Sequence, residues 1–367
     1  MRVAVVGGGL AGLTAAHALA AAGAEVKLLE ASTRLGGQVW SERVDGFLVE
    51  HGAEGFPARR TAIRGLCQQL GLGHRLLEQN AHRNLCLRNG RLEELGPGEA
   101  AGILGMAVDP ADLGSGLVTL QDGLGELTGA LATRLVEMAE VKTASRVERL
   151  ARDGNGWALR CHGGSDTVAD AVILALPAAS AADLLAPVVG SLPAFRELSY
   201  ASSLTVSVAV RSESITLPAD ATGFVSADPG MFRALTFCSV KFSHRAPEGW
   251  SLLRAFFRPG DGAWRQPDEA WVAAALQLLR RILGLREAEP RVWVSRWDKA
   301  FVRYPPGFGD QIDGLRERLG GMGQLIELAG AEVDACGVDG AVRSGQAAAA
   351  AVIKAAGSRL TAPPLTG

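Results

Sequence analysis

The stretch from Val3 to Glu30 constrains this chain more than any other. An apolar run, Val3-Ala4-Val5-Val6, meets three consecutive glycines, and an Ala-rich segment then continues to Gly23. A second run, Glu25–Glu30, follows. Strand, turn, helix and strand in that order form a βαβ unit. Its glycines read G-x-G-x-x-G at Gly7, Gly9 and Gly12. Gly7 permits a tight turn, Gly9 lets the backbone approach a pyrophosphate, and Gly12 lets the helix pack close to the strand. Leu10 and Ala11 belong to the helix start, where free N–H groups and the positive dipole end receive an anion. Glu30 stands 18 residues beyond Gly12, where a carboxylate accepts hydrogen bonds from an adenosine ribose. The expected class is α/β with a Rossmann-type dinucleotide site. The motif alone does not separate NAD from FAD.

A chain of 367 residues exceeds one compact core and predicts two domains, here interleaved. With 48% hydrophobic and 21% charged residues it can bury a large core. A net charge of −2 and a spread of Lys and Arg exclude nucleic acid as an obligatory partner. The five cysteines, Cys67, Cys86, Cys161, Cys238 and Cys336, are far apart and lack CxxC spacing. That pattern predicts no disulfide framework and no metal site, and it fits a reducing cytoplasm. Val3–Ala24 carries no Asp, Glu, Lys or Arg and is long enough to cross a bilayer. Its glycine turn and the strand that follows it assign it to the βαβ unit instead, and a signal-peptide reading would delete the phosphate loop. No integral membrane segment is expected, and at most a weak peripheral contact.

The residues after Glu30 choose between the cofactors. They read Ala31-Ser-Thr-Arg34-Leu-Gly36-Gly37-Gln38, then Asp45-Gly46-Phe-Leu-Val-Glu50-His51-Gly52-Ala53. Here the chain resembles the FAD-dependent family that includes amine oxidases, phytoene desaturases and protoporphyrinogen oxidases. In that family a second Gly-Gly with its neighbouring Arg lies along the FAD diphosphate. The resemblance therefore implies FAD, held extended and noncovalently, with Ala31, Arg34, Gly36, Gly37, Gln38, Gly52 and Ala53 at the site. The C-terminal run Leu328-Ala329-Gly330-Ala331-Glu332 and the segment from Cys336 through Val338 to Ala348 resemble the family's return to the flavin, with Gly330 and Val338 carried over. Val147 resembles the valine whose backbone meets adenine, and Trp297 joins the cofactor set by its Arg296-Trp297 match. The expected FAD-binding domain is discontinuous, 1–60, 125–180 and 320–358. The substrate domain covers 61–124 and 181–319 as a mixed sheet, and 359–367 is a flexible tail.

Within the family the chain is most similar to the protoporphyrinogen (or coproporphyrinogen) oxidase branch. Arg296-Trp297 with Ala300-Phe-Val-Arg303-Tyr304, Phe237–Gly249 and Leu252–Phe256 carry that likeness. Arg83 matches an arginine that the branch places near a substrate propionate, and a guanidinium fork suits a carboxylate. The implied activity is dehydrogenation of a porphyrinogen, with hydride transfer to flavin N5 and reoxidation by oxygen. The alternatives are an amine oxidase acting on another substrate, or a flavin-binding partner without catalysis. No lysine occurs in Ala201–Val208, where amine oxidases hold one near the flavin.

Departures from the branch are also specific. Its large helical insertion is replaced by about two dozen residues, Leu95–Val118, and its Pro, Gln and His positions read Val302, Arg303 and Phe308. These departures bear on the substrate more than on the cofactor. No catalytic base stands out. Glu332 and Asp339 read as solvated or helix-capping carboxylates, Cys336 as a buried packing cysteine, and Trp40 and His51 as structural. Strands are expected at Leu204–Val210, Leu235–Lys241, Leu252–Phe257 and Val292–Trp297, with a covering helix over Pro267–Leu285. Its apolar face is read as Trp271, Ala274, Ala275, Leu278, Leu279 and Ile282, with Arg280 and Arg281 outward.

Overall fold

The computed structural model describes residues 1–105, 109–164, 166–334, 336–357 and 360. The tail expected over 359–367 lies outside the described residues apart from Leu360, as do positions 106–108 of the shortened connection. The chain builds a mixed α/β molecule around two sheets. The first has five parallel strands in the spatial order Glu140–Lys142, Glu25–Leu29, Arg2–Val6, Ala171–Leu174, Leu325–Leu328. Its central strand is buried along nearly its whole length, as an apolar strand covered on both faces must be. Helices Leu10–Ala21, Gly125–Met138 and Val338–Ala356 cover one face. The antiparallel strands Val147–Asp153, Gly156–Cys161 and Asp166–Ala169 and helix Ala178–Val189 cover the other.

The second sheet has seven strands. Its order is Arg291–Arg303, Ser199–Arg211, Trp250–Phe257, Phe232–Thr236, Ala221–Ser226, Arg83–Arg88, Arg91–Glu94. The pair Ala221–Ser226 and Arg83–Arg88 is parallel and the other neighbours are antiparallel, so the sheet is mixed. Helix Asp268–Leu283 lies under it and buries Trp271, Ala275, Leu278, Leu279 and Leu283. That helix begins with Asp268 and Glu269 and ends with Arg280 and Arg281, in agreement with its dipole.

Four sequence expectations change. The strand expected over Leu235–Lys241 ends at Thr236, and Cys238–Lys241 forms a helical turn. Cys238 and Lys241 are both buried, a spacing that a helical turn satisfies and a two-residue pleat does not. Ala274 faces solvent, because the stripe of the covering helix centres on Trp271, Ala275 and Leu278. Cys336 is exposed while the other four cysteines are buried, because it precedes the C-terminal helix in an open loop. The packing also draws the division at residue 61 differently. Helix Ala62–Gln69 sends Ile63, Leu66 and Cys67 into the core shared with Leu10–Ala21 and Val338–Ala356, and Val118 and Leu120 join them.

Candidate functional site

Because all five strands of the first sheet are parallel, their C-terminal ends open on one edge. Gly7, Glu30, Ala175 and Ala329-Gly330 leave the sheet there. Gly7 has φ +105°, and a Cβ on it would lie 2.2 Å from the Ala175 carbonyl oxygen. A Cβ on Gly12 would lie 1.9 Å from the carbonyl oxygen of Gly7, so the helix rests directly on the turn. Gly9 differs. A Cβ there would meet only the Cα of Gly37, at 4.0 Å. It is the N-cap of helix Leu10–Ala21, which has no side-chain cap, so the first N–H groups point into an open cradle.

A second glycine loop is laced to the first. Gly36 N–H donates to the Gly8 carbonyl at 2.8 Å, and Gly9 and Gly36 form a parallel bridge. Arg34 spends its guanidinium inside this loop, on the carbonyls of Leu35 at 2.8 Å, Gly37 at 2.6 Å and Val39 at 3.2 Å. Its pKa is lowered by burial, against the opposing pull of Glu30. Glu30 accepts from the N–H of Gly8 at 2.6 Å and of Ser32 at 2.7 Å, with lone pairs left for a further donor. Next to Ala31, the backbone of Ala144 and Ser145 bonds to Ser32 and Glu30, which brings Val147 to the same edge.

The segment His51-Gly52-Ala53 is held from both sides. Ala53 N–H donates to the Gln38 carbonyl at 3.2 Å, and a Cβ on Gly52 would lie 1.7 Å from that same oxygen. From the second sheet Trp297 Nε1 donates to the His51 carbonyl at 2.6 Å. Arg254 donates to the carbonyls of His51 and Gly52, each at 2.9 Å. The His51 ring stacks on Trp40 at 3.9 Å and bonds Ser295 and Glu42, each at 2.8 Å, a structural role for both rings. At the far end Gly330 N–H donates to Ser344 Oγ at 3.0 Å. Val338 opens a second helix without a side-chain cap, and a Cβ on its N-cap, Gly337, would meet open space. The two uncapped helices lie against one another, Gly345 fitting over the Ala11 carbonyl. The structure thus brings candidate cofactor residues from five separate segments to one sheet edge, and Trp297 meets them from the second sheet.

The two candidate carboxylates prove to be caps. Glu332 accepts from the N–H of Ala178 at 2.7 Å, at the start of helix Ala178–Val189, and from the Tyr200 hydroxyl at 2.8 Å. Asp339 accepts from the Ile63 N–H at 3.0 Å, at the start of helix Ala62–Gln69. Arg83 is exposed on its hairpin, bonded to the Ala219 carbonyl at 3.1 Å and 3.4 Å from Glu94.

Sequence reasoning missed the charged junction between the sheets. Lys241 is buried beside Glu54, and Arg254 is buried on the adjoining strand. Burial alone would raise the Glu54 pKa, but Lys241, Arg254 and Arg245 together hold it below the usual range. Glu50 shows the opposite balance. Burial drives it up to about 7 despite Arg245 at 3.7 Å, the Ser41 hydroxyl and the Leu124 N–H. The missed signal is an arginine within the apolar run Ser251-Leu-Leu-Arg254-Ala-Phe-Phe257. A charge there is either paired or holding something.

Comparison with known proteins agrees with this geometry. A family described as flavin containing amine oxidoreductase matches residues 10–110 and 108–353. A coproporphyrinogen III oxidase of Propionibacterium freudenreichii is 24% identical, over 96% of this chain and 90% of its own length. One from Mycobacterium bovis is 28% identical over 96% and 97%. These alignments run over 481 and 449 positions, more than the 367 residues here, so the relatives carry segments that this chain lacks. A solved structure from Exiguobacterium sp. 255-15, described as a candidate protoporphyrinogen oxidase, superposes with a TM-score of 0.83 at 26% identity, covering 96% and 98% of the two chains. Putrescine oxidase, at 18% identity and a TM-score of 0.73, shares the fold. Among the described residues no helix is long and apolar enough to cross a membrane. The chain belongs to the flavin-containing amine oxidoreductase family and is a flavin-dependent oxidoreductase.

Proposed function

We propose that this flavin-dependent oxidoreductase binds FAD and dehydrogenates a porphyrinogen, coproporphyrinogen III in the first instance. The observation that carries the reading is the near end-to-end similarity to coproporphyrinogen III oxidases, over 96% of this chain. The uncapped helix start at Gly9 and the open Cβ positions at Gly9 and Gly337 fit an extended dinucleotide. Leu10, Ala11 and Gly12 would offer N–H groups to its diphosphate, with Gly36, Gly37 and Gln38 alongside. Arg34 would act by shaping that loop. Glu30, Ala31 and Val147 would hold the adenosine end, and Gly52, Ala53, Trp297, Gly330 and Val338 the flavin end.

Bound FAD supplies a two-electron acceptor for a hydride from a bridging carbon, and dioxygen takes those electrons onward as hydrogen peroxide. The protein's share is orientation and exclusion of water. Arg254 and Trp297 lock the backbone of His51 and Gly52 across the two sheets. Lys241 keeps Glu54 ionised beside that backbone. Glu332 and Asp339 are committed to helix starts, so neither is offered as a base. An amine substrate is less well supported. The strand Ser199–Arg211 carries no lysine, and both tyrosine hydroxyls are occupied, Tyr200 by Glu332 and Tyr304 by the Ala331 carbonyl.

The test is anaerobic mixing of the yellow holoprotein with coproporphyrinogen III or protoporphyrinogen IX. Loss of the visible flavin band, then porphyrin fluorescence when air is admitted, is the expected result. A flavin that stays oxidised with both substrates overturns the reading.

A further inference from the structure

Arg233, Arg258 and Arg303 stand at one end of the substrate sheet. Arg233 Nη2 donates to the Ile103 carbonyl at 2.8 Å, and Arg258 lies 3.4 and 3.5 Å from the Leu104 carbonyl. The backbone N–H of Arg258 bonds to Met231 at 2.8 Å, which ties the two strands together at this point. The strand Arg291–Arg303 runs in the same direction as Trp250–Phe257 with Ser199–Arg211 between them, so Arg303 closes its strand at this same end of the sheet. Burial lowers the Arg258 pKa, and Arg233 and Arg303 lower it further. Among the described residues none of the three forms an ion pair, and the Arg233 Nε is buried without a hydrogen-bond partner. Like charges held together around an unpaired buried donor destabilise a fold unless an anion joins them.

Position says which anion. Arg254, Phe256 and Arg258 follow one another on the same face at the pleat spacing, while Leu253, Ala255 and Phe257 point into the core under helix Asp268–Leu283. The first face is the one from which Arg254 reaches the carbonyls of His51 and Gly52. Arg258 lies about 13 Å farther along the strand, at roughly 3.3 Å per residue. Half-buried Phe256 lies between them, under the Arg254 guanidinium at 4.8 Å. A largely apolar macrocycle beside Phe256 with acid arms reaching outward fits that layout. Arg303 is one of the positions where the chain departs from its branch, and Ile103 and Leu104 belong to the shortened connection.

We propose that Arg233, Arg258 and Arg303 form the carboxylate-binding end of the substrate site and take the acid arms of a polycarboxylated tetrapyrrole. The assignment rests on the porphyrinogen reading and sharpens it. Coproporphyrinogen carries an acid arm on every pyrrole ring and protoporphyrinogen on only half of them, so a cluster of guanidinium groups favours the former.

The experiment uses holoprotein and two separate readouts, binding of coproporphyrin III by fluorescence quenching and oxidation of both porphyrinogens. Arg303→Gln is the first variant, because Arg303 is exposed and its loss leaves the fold intact. Its Kd for coproporphyrin III and KM for coproporphyrinogen III should each rise about ten-fold, as expected for one charge-assisted contact. Arg303→Lys should recover part of that loss, and Arg280→Gln on the covering helix should change neither value. Unchanged Kd and KM in Arg303→Gln and in the double variant with Arg258→Gln overturn the cluster, while wild-type oxidation still supports the porphyrinogen reading. A wild type that oxidises neither porphyrinogen overturns that reading instead. In that case the cluster survives if coproporphyrin III binds and Arg303→Gln weakens it, and falls if coproporphyrin III does not bind.

Discussion

The two sheets prepare for their ligands by different means. At the edge of the parallel sheet the groups on offer are backbone N–H donors, exposed by glycines and by two uncapped helix starts. On the seven-stranded sheet they are guanidinium side chains: Arg254 clamped on the neighbouring backbone, and Arg233, Arg258 and Arg303 at its end, which form no ion pair among the described residues. Backbone donors need glycine at set intervals, so the first arrangement leaves a pattern in the chain. Side-chain donors converge from different strands, so the second leaves only single charges inside apolar runs, such as Arg254.

The comparison can be broken at its strongest point first. Gly12→Ala sets a Cβ 1.9 Å from the Gly7 carbonyl oxygen, and the helix must move off the turn. The expected outcome is protein with little flavin, read as the ratio of visible to ultraviolet absorbance after purification. Retained flavin would show that the backbone cradle is more tolerant than the packing implies. Arg254→Met comes next. It leaves the His51 and Gly52 carbonyls without their shared donor and should lower stability by about 3 kcal/mol, measured by denaturant unfolding.

Glu50, at the junction of the halves, predicts a pH effect. The folded protein holds this carboxyl neutral up to about 7, whereas an unfolded chain ionises it near 4.5. Stability from this group is complete below 4.5 and is lost as pH rises through about 7. Glu50→Gln should flatten the Tm-against-pH curve in that window, and an unaltered slope would assign the effect elsewhere. Glu332→Gln weakens one helix start and should cost about 1 kcal/mol with little change in flavin content. The smallest effect belongs to Arg83, which is exposed beside Glu94. Arg83→Ala should raise the KM for a carboxylated porphyrinogen less than Arg303→Gln does, and a larger rise would move the acid-binding end to the hairpin.

Much of the parallel half was legible in the chain. Gly7, Gly9, Gly12, Glu30, Gly36 and Gly37 predicted a glycine-laced edge, and the apolar strands around them assembled in parallel order. Less of the antiparallel half was legible. The run Leu235–Lys241 read as one strand because it is rich in apolar and β-branched residues, yet the strand ends at Thr236 and a helical turn buries Lys241 against Glu54. Cys336 read as buried because free cysteines are among the most buried residue types, but here it stands exposed before the last helix.

By itself the sequence determined the βαβ unit, its phosphate turn and the resemblance that implies FAD, because glycine spacing and apolar runs act over a few residues. Only the tertiary structure decided what the charged residues do. Glu332 and Asp339 became caps for helices far away in the chain, Arg254 became a clamp on His51 and Gly52, and Arg233, Arg258 and Arg303 met at one sheet end with no ion pair among the described residues. Electrostatic partners are chosen through space and by burial, and neither is written in the spacing of residues along one strand.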